Sequence, residues 1–284
     1  MEPICIVTDS SVQFPKPAFP GRDLVKVIPL SVSLNNTIID DPSFRVTELP
    51  LSANHQLNPH LEPPNPDELR EYFVNLCKSY HQVVAIFMAD GLSNCVANAK
   101  AAVQSLQGNL PIQIIDSQTT SCGLGIIVQE AALTAVKYGR LVEVENSIRA
   151  AIPRSYGVFC IPSTTYLQYE GFLDAAQAGV SEMLGLYPIF NLENGQLTPV
   201  EKMRNPRHII DYFIEYMDEF DQLSHIAVMQ GINSSSQDHQ LLRDHAADFF
   251  PKTPFSAHVL NPTLAVLFGP TCSAMFLVES PSRR

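Results

Sequence analysis

The chain has 284 residues, enough for one large or two medium domains with well-filled cores. Apolar residues make up 45% and charged residues 17%, the balance of a globular protein and not of a disordered one. The formal charge of −11 argues against nucleic acid or an anionic membrane as partner, because both need clustered Lys and Arg. Met1-Glu2-Pro3 carries no basic region of the kind that opens a signal peptide, and no apolar run approaches the roughly 20 residues of a membrane span. Cys5, Cys77, Cys95, Cys122, Cys160 and Cys272 are scattered with no Cys-x-x-Cys pair, so neither a zinc site nor a disulfide scaffold is expected. The cytoplasm is the expected location.

Short β-rich runs alternate with longer helical patterns, which predicts a parallel sheet covered by helices. Ile4 to Thr8 is the first predicted strand and Val25 to Leu34 carries the next. From about Asp40 to Pro66 the periodicity is low and six of the 22 prolines accumulate, too long a stretch for a plain connector. At its end Asn65 is placed to cap a helix, Pro66 suits the first helical position and Glu68 completes a capping box, with the helix running to about Tyr80. Val83 to Met88 predicts a buried strand. Ala89 to Leu92 turns the chain, and Ser93 stands where it would cap a helix reaching Gly108. Ile112 to Ile115 is the next strand, followed by a helix from about Thr120 that ends before Gly139, a short helix, and a strand at Tyr156 to Ile161. Asn194-Gly195 between Tyr187–Leu192 and Gln196–Val200 signals a hairpin. Helices near Pro206 to Asp221 and Ser236 to Asp248 flank a strand at His225 to Met229, and Leu264 to Phe268 and Ala274 to Val278 read as closing strands. The division predicted is an α/β domain over 1–153 and an α+β domain over 154–284.

Three kinds of chemistry can be weighed on these elements. Gly123-Leu124-Gly125 follows a strand, yet a dinucleotide site fails because Val128 stands where the third glycine belongs and the glycines fall inside a helical pattern; close helix packing is the simpler role. No Gly-x-Ser-x-Gly elbow is present, no Cys sits in a basic setting, and His239 and His245 lack metal-ligand spacing. Asp9, at the end of the first strand, suits loop capping better than phosphoacceptor or metal chemistry. Ser93 differs: strand end followed by helix start is an anion site, because the first turn offers unpaired N–H groups and partial positive charge. The hydroxyl can cap the helix and bond a ligand at once.

Thr8-Asp9-Ser10, Pro29-Leu30-Ser31-Val32, Asp116-Ser117 followed by Gly123-Leu124-Gly125, and Pro188-Ile189 followed by Glu201-Lys202-Met203-Arg204 occur in an order and spacing that resembles the DegV family over nearly the full length. The resemblance implies a DegV-like two-domain fold, with a parallel sheet flanked by helices in the first domain and an α+β second domain. It also implies a non-enzymatic lipid-binding protein that threads a long-chain fatty acid through an apolar tunnel between the domains, carboxylate at Ser93, for presentation to a fatty-acid kinase. No catalytic residue, metal or cofactor is expected, and no nucleic acid or membrane segment. The ligand-binding residues carried over are Ser93, Asn94, Cys95, Ser10, Leu61, Glu62, Arg204 and Leu267.

The sequence departs from the family's pattern at the head-group end. The family's Thr-Ser-x-Pro-Ser is Leu61-Glu62-Pro63-Pro64-Asn65 here, its Ser-Gly-Thr is Ser93-Asn94-Cys95, its histidine is Leu267, and its paired glycines and Arg appear as Glu170-Gly171-Phe172; Arg204 survives. That end is therefore expected to be more apolar, with an ionised Glu62 repelling a carboxylate wherever it faces the pocket. Free fatty acid with Glu62 turned to solvent, a neutral lipid head, and a vestigial DegV scaffold that keeps its tunnel without kinase coupling or fills it with side chains all stay open. So does a small-molecule hydrolase or transferase using Asp9 and Asp116, which predicts carboxylates converging on a polar cleft.

Overall fold

The computed structural model describes residues 4–39, 44–53, 58–106 and 111–281. In chain order its first elements are β1 (Ile4–Asp9), β2 (Val25–Ile28), β3 (Ser31–Leu34), β4 (Thr37–Ile38), β5 (Pro59–Glu62), α1 (Pro66–Leu76) and β6 (Gln82–Phe87). Then come α2 (Cys95–Gln104), β7 (Ile112–Asp116), α3 (Ser121–Tyr138), α4 (Leu141–Ala151), β8 (Ser155–Cys160), α5 (Thr164–Tyr169) and α6 (Ala175–Met183). The remainder is β9 (Tyr187–Glu193), β10 (Gln196–Met203), α7 (Arg207–Asp218), β11 (Leu223–Gln230), α8 (Ser236–Phe249), β12 (Phe255–Val259), α9 (Pro262–Phe268) and β13 (Ser273–Glu279). By contacts the chain forms two compact units. The first comprises Met1–Leu30, Glu62–Pro153 and Asn194–Gln196; the second comprises Ser31–Leu61, Arg154–Glu193 and Leu197–Arg284. Ser31–Leu61 thus groups with the second unit. No helix among the described residues is long and apolar enough to cross a membrane.

The first unit is built on a four-stranded parallel sheet in the order β2-β1-β6-β7. All six residues of β1 are buried, the near-continuous burial of a parallel strand covered on both faces. From β1 the chain runs to β2 on one side and returns to β6 on the other, so the strand order reverses between β1 and β6. Their carboxyl ends form a topological switch point, the usual crevice for ligands in such sheets. α1 starts as its sequence requires: Asn65 Oδ1 accepts from the N–H groups of Asp67 (2.9 Å) and Glu68 (3.0 Å), and Glu68 Oε2 accepts from Asn65 N–H at 2.9 Å. α3 closes on Gly139 in the left-handed region, φ 61°. Gly123, Leu124 and Gly125 lie buried inside α3, and a Cβ on Gly125 would run into the Gln13 carbonyl, so this glycine serves close packing.

The second unit carries a six-stranded mixed sheet, β10-β9-β8-β13-β11-β12, and a three-stranded sheet, β4-β3-β5. Asn194 (φ 50°) and Gly195 (φ 79°) make the two-residue turn between β9 and β10. Side chains alternate across β8. Val158 and Cys160 face a core with Ile226, Val228, Met275 and Leu277 that α7 and α8 cover through Phe213, Met217 and Leu242. Phe159 faces the other way and packs its ring 5.0 Å from Phe268 and 5.4 Å from Phe276.

Several expected elements differ. The strand predicted over Val25 to Leu34 is two strands in two sheets, β2 and β3, because Pro29 interrupts the run and cannot donate to a ladder. Leu264 to Phe268 is helical, not a strand: Asn261 Oδ1 accepts from Leu264 N–H at 2.9 Å and Pro262 occupies the first helical position, so a cap overrides an apolar run. The helix expected to reach Gly108 is described to Gln104, since residues 107–110 lie outside the described part. The low-periodicity stretch is partly outside it as well, at 40–43 and 54–57. Its described part is tied down by α5 and the residue before it. Tyr166 O–H donates to Pro50 O at 2.6 Å, Ser163 O–H donates to Leu51 O, and Ala53 N–H donates to Thr165 Oγ1 at 2.9 Å.

Candidate functional site

The first unit gathers its polar groups at the carboxyl ends of β1, β6 and β7. Asp9 ends β1 fully buried; its Oδ1 accepts from Ser11 N–H at 2.9 Å and its Oδ2 from Met88 N–H at 2.6 Å, so one carboxylate pins two strand ends together. Burial raises its pKa, opposed by those hydrogen bonds. Asp116 ends β7 and does the same for its own loop, with Oδ1 accepting from Gln118 N–H at 2.8 Å and Asp90 N–H at 3.2 Å; burial raises its pKa too. Ser10 is half-buried and its Oγ accepts from Leu30 N–H at 2.9 Å, joining the turn after β1 to the residue after Pro29. Thr8, Thr119 and Thr120 are buried at the same edge, and their hydroxyls have no hydrogen-bond partner among the described residues.

Ser93 lies between β6 and α2, half-buried, its Oγ accepting from Cys95 N–H at 3.3 Å. The N-cap position itself falls on Asn94, one residue later than the sequence predicts, and Asn94 is exposed with no side-chain cap bond. Ser93 still satisfies the first N–H of the helix. Cys95 is fully buried, and desolvation together with the nearby Asp9 carboxylate raises its thiol pKa far above the usual range. Asn98 Nδ2–H donates to Pro64 O at 2.9 Å, so the segment that replaces the hydroxyl-rich run is anchored on α2. Glu62, at the end of β5, is exposed.

The other expected residues lie in the second unit. Leu61 is buried, and its N–H donates to Glu170 Oε1 at 2.9 Å while His60 Nδ1 stands 3.6 Å from the same oxygen. The acidic residue found where an arginine was expected nearby thus holds β5 to the end of α5. Leu267 is fully buried in α9. Arg204 is exposed in the bend after β10 and lines neither cavity of this unit described below. The eight residues therefore fall into a set at one sheet edge (Ser10, Ser93, Asn94, Cys95), a buried apolar pair (Leu61, Leu267) and two exposed charges (Glu62, Arg204).

Sequence reasoning missed an apolar feature of the second unit. A cavity of about 710 Å³ opens between α5–α6 and β9–β10, lined by Leu173, Val180, Leu186, Pro188, Phe190 and Pro199 among others, with Glu201 and Lys202 at its border. Its volume lies within the roughly 300–1,000 Å³ of small-molecule sites. α6 contributes Ala176, Gln177, Val180 and Ser181 to the lining, and the signal for that helix was present: Asp174 and Gln177 make a reciprocal capping box, Asp174 Oδ1 accepting from Gln177 N–H at 2.8 Å. No group of three or more His, Cys, Asp or Glu among the described residues could hold a metal ion.

Comparison with known proteins matches this arrangement to one family. A family model described as "Uncharacterised protein, DegV family" covers residues 3–280. A DegV domain-containing protein of Caldanaerobacter subterraneus subsp. tengcongensis is 30% identical over 223 residues, 76% of this chain and 77% of that protein. The crystal structure of DegV, a fatty acid binding protein from Bacillus subtilis, superposes with a TM-score of 0.80 at 22% identity, covering 99% of this chain and 100% of that one. The Streptococcus pneumoniae fatty acid kinase (Fak) B3 protein loaded with linoleic acid gives a TM-score of 0.81 at 16% identity over 98% and 99% of the two chains. With the match running almost from end to end, the chain belongs to the DegV family.

Proposed function

We propose that this protein binds a long-chain fatty acid without a catalytic group of its own, and presents it to a fatty-acid kinase. The observation that carries the reading is the apolar cavity beside Leu186 and Phe190, because a hydrocarbon chain needs such volume and gains about 0.8 kcal/mol per buried CH₂. For the carboxylate, the first unit offers Ser93 and the first turn of α2, whose N–H groups and partial positive charge favour an anion. The unpartnered hydroxyls of Thr8, Thr119 and Thr120 at the same sheet edge add donors of the kind a polar head group uses. The kinase is suggested by the Streptococcus pneumoniae neighbour, a fatty acid kinase B protein.

Against catalysis by this chain, Asp9 spends both carboxylate oxygens and Asp116 its Oδ1 on backbone N–H groups, and the Cys95 thiol is held protonated. All six cysteines are free, which suits the reducing cytoplasm. A second reading, a neutral lipid head, is favoured by Leu267 standing fully buried where the family has histidine and by a glutamate at position 170. Native mass spectrometry of the freshly purified protein, followed by extraction, decides between them. A mass increment equal to a free fatty acid is the expected result; a long-chain alcohol or monoester supports the second reading, and an empty protein that refuses added oleate overturns both.

A further inference from the structure

The six-stranded sheet of the second unit has two faces, and the acyl-sized cavity lies against one of them. Phe190, which lines that cavity, stands in register with Phe159, on the side away from α7 and α8. On the opposite side, where α7 and α8 cover Val228 and Cys160, a separate cavity of about 380 Å³ opens. Its floor is hydrocarbon, from Phe213, Val228 and Leu242, each at most 2% exposed. Its rim is polar: Ser234 and Ser235 precede α8, His239 stands one turn into that helix, and Ser273 opens β13. An apolar floor with a few polar groups gathered on one side is the usual construction of a small-ligand site, and the volume lies at the lower end of the range for one.

We infer that this cavity is a second binding site, distinct from the acyl site, for a small uncharged amphiphile with a ring-sized apolar body and one hydroxyl or amide. The charge follows from the lining. It contains one carboxylate, Asp238, and no Lys or Arg, and the partial positive charge of the α8 N-terminus beside it offsets that carboxylate, so neither an anion nor a cation is favoured. Burial lowers the pKa of His239, leaving a neutral imidazole able to donate or accept one hydrogen bond. The volume holds a single aromatic ring with its substituents.

The probe is p-cresol, titrated into the whole protein while the imidazole C–H resonances of its eight histidines are followed by NMR, His239 being assigned by its loss in His239→Gln. The expected result is a saturable shift of the His239 resonance, unchanged when the protein is first loaded with palmitate. Ser234→Trp, at an exposed rim position, and Ile210→Trp, at the α7 side, are each expected to abolish the shift by filling the cavity. Since the chain contains no tryptophan, each new indole also reports whether its variant is folded. No shift up to the solubility limit overturns the proposal, as does an undiminished shift in either folded variant. Displacement of p-cresol by palmitate overturns it as well, by making the cavity part of the acyl site.

Discussion

The two units bury opposite things. At the carboxyl edge of the parallel sheet, the first unit buries polarity: Thr8, Asp9, Ser117, Thr119, Thr120 and Ser121 are all at most 2% exposed. For Asp9 the cost of desolvation is met by the backbone N–H groups of Ser11 and Met88, while the hydroxyls of Thr8, Thr119 and Thr120 have no partner among the described residues. The second unit buries hydrocarbon and leaves volume beside it, on both faces of its mixed sheet. Four of its polar side chains, Ser163, Thr165, Tyr166 and Glu170, fasten the strap formed by Pro50 to Ala53 and the strand residue Leu61.

The comparison breaks most visibly at Asp9. Asp9→Ala leaves two buried N–H groups without acceptors, and the relief of a buried charge offsets only part of that. The expected loss is about 2–4 kcal/mol in denaturant unfolding, with Asp9→Asn losing roughly half as much because one acceptor survives. A loss below about 1 kcal/mol would mean that the polar edge of the first unit is not what holds its strand ends. The next effect tests the polar end in function. Ser93→Ala is expected to weaken oleate binding by roughly 1–3 kcal/mol, since a bond to a charged group is removed, while leaving stability within about 1 kcal/mol. Unchanged affinity would move the head group away from α2.

Local signals carried the first unit well. The unbroken apolar run of β1, the Asn65–Glu68 capping box and Gly139 each act within a few residues, so their sequence is enough. The second unit was harder because its decisive contacts are remote. Glu170 bonds Leu61 across 109 positions, and no pattern in either segment announces it. Apolar composition misled at Leu264 to Phe268, where five consecutive apolar residues read as a strand and the Asn261 cap decided for helix. α5 has only six residues, less than two turns, too few for a periodic pattern to show, and the local signal for α6 is confined to its Asp174–Gln177 box. The placement of Ser10 and Ser93 at strand ends was legible in the sequence. The exposure of Arg204 was not, because it depends on how the bend after β10 turns.

The strap offers a finer test of the second unit. Tyr166 is fully buried and gives its hydroxyl to Pro50 O, so Tyr166→Phe removes one donor without opening a cavity. A loss of about 1 kcal/mol is expected, with faster amide hydrogen exchange at Ala53 than at β8. Equal rates at both would show that the strap is held by its apolar contacts instead.

The smallest expected effect is one of pH, and there the two units oppose each other in sign. Burial lowers the pKa of His258, on β12, and its Nε2 is buried without a partner among the described residues. In the unfolded chain a histidine takes its proton near pH 6.5, so below that the unfolded state binds more protons than the folded one. The contribution of His258 is therefore present above about pH 6.5 and lost as pH falls through the folded pKa. Asp9, with its pKa raised, behaves the other way: its contribution is present at acid pH and lost as pH rises through the folded value. His258→Leu should flatten the acid limb of the Tm–pH curve between pH 7 and pH 5, by at most about 1 kcal/mol, or roughly 2–4 °C. His239 keeps its own share of the same slope, since burial lowers its pKa as well, so the limb should shrink without vanishing. A limb as steep as that of the wild type would place the acid sensitivity of the second unit on His239 and the cavity it borders.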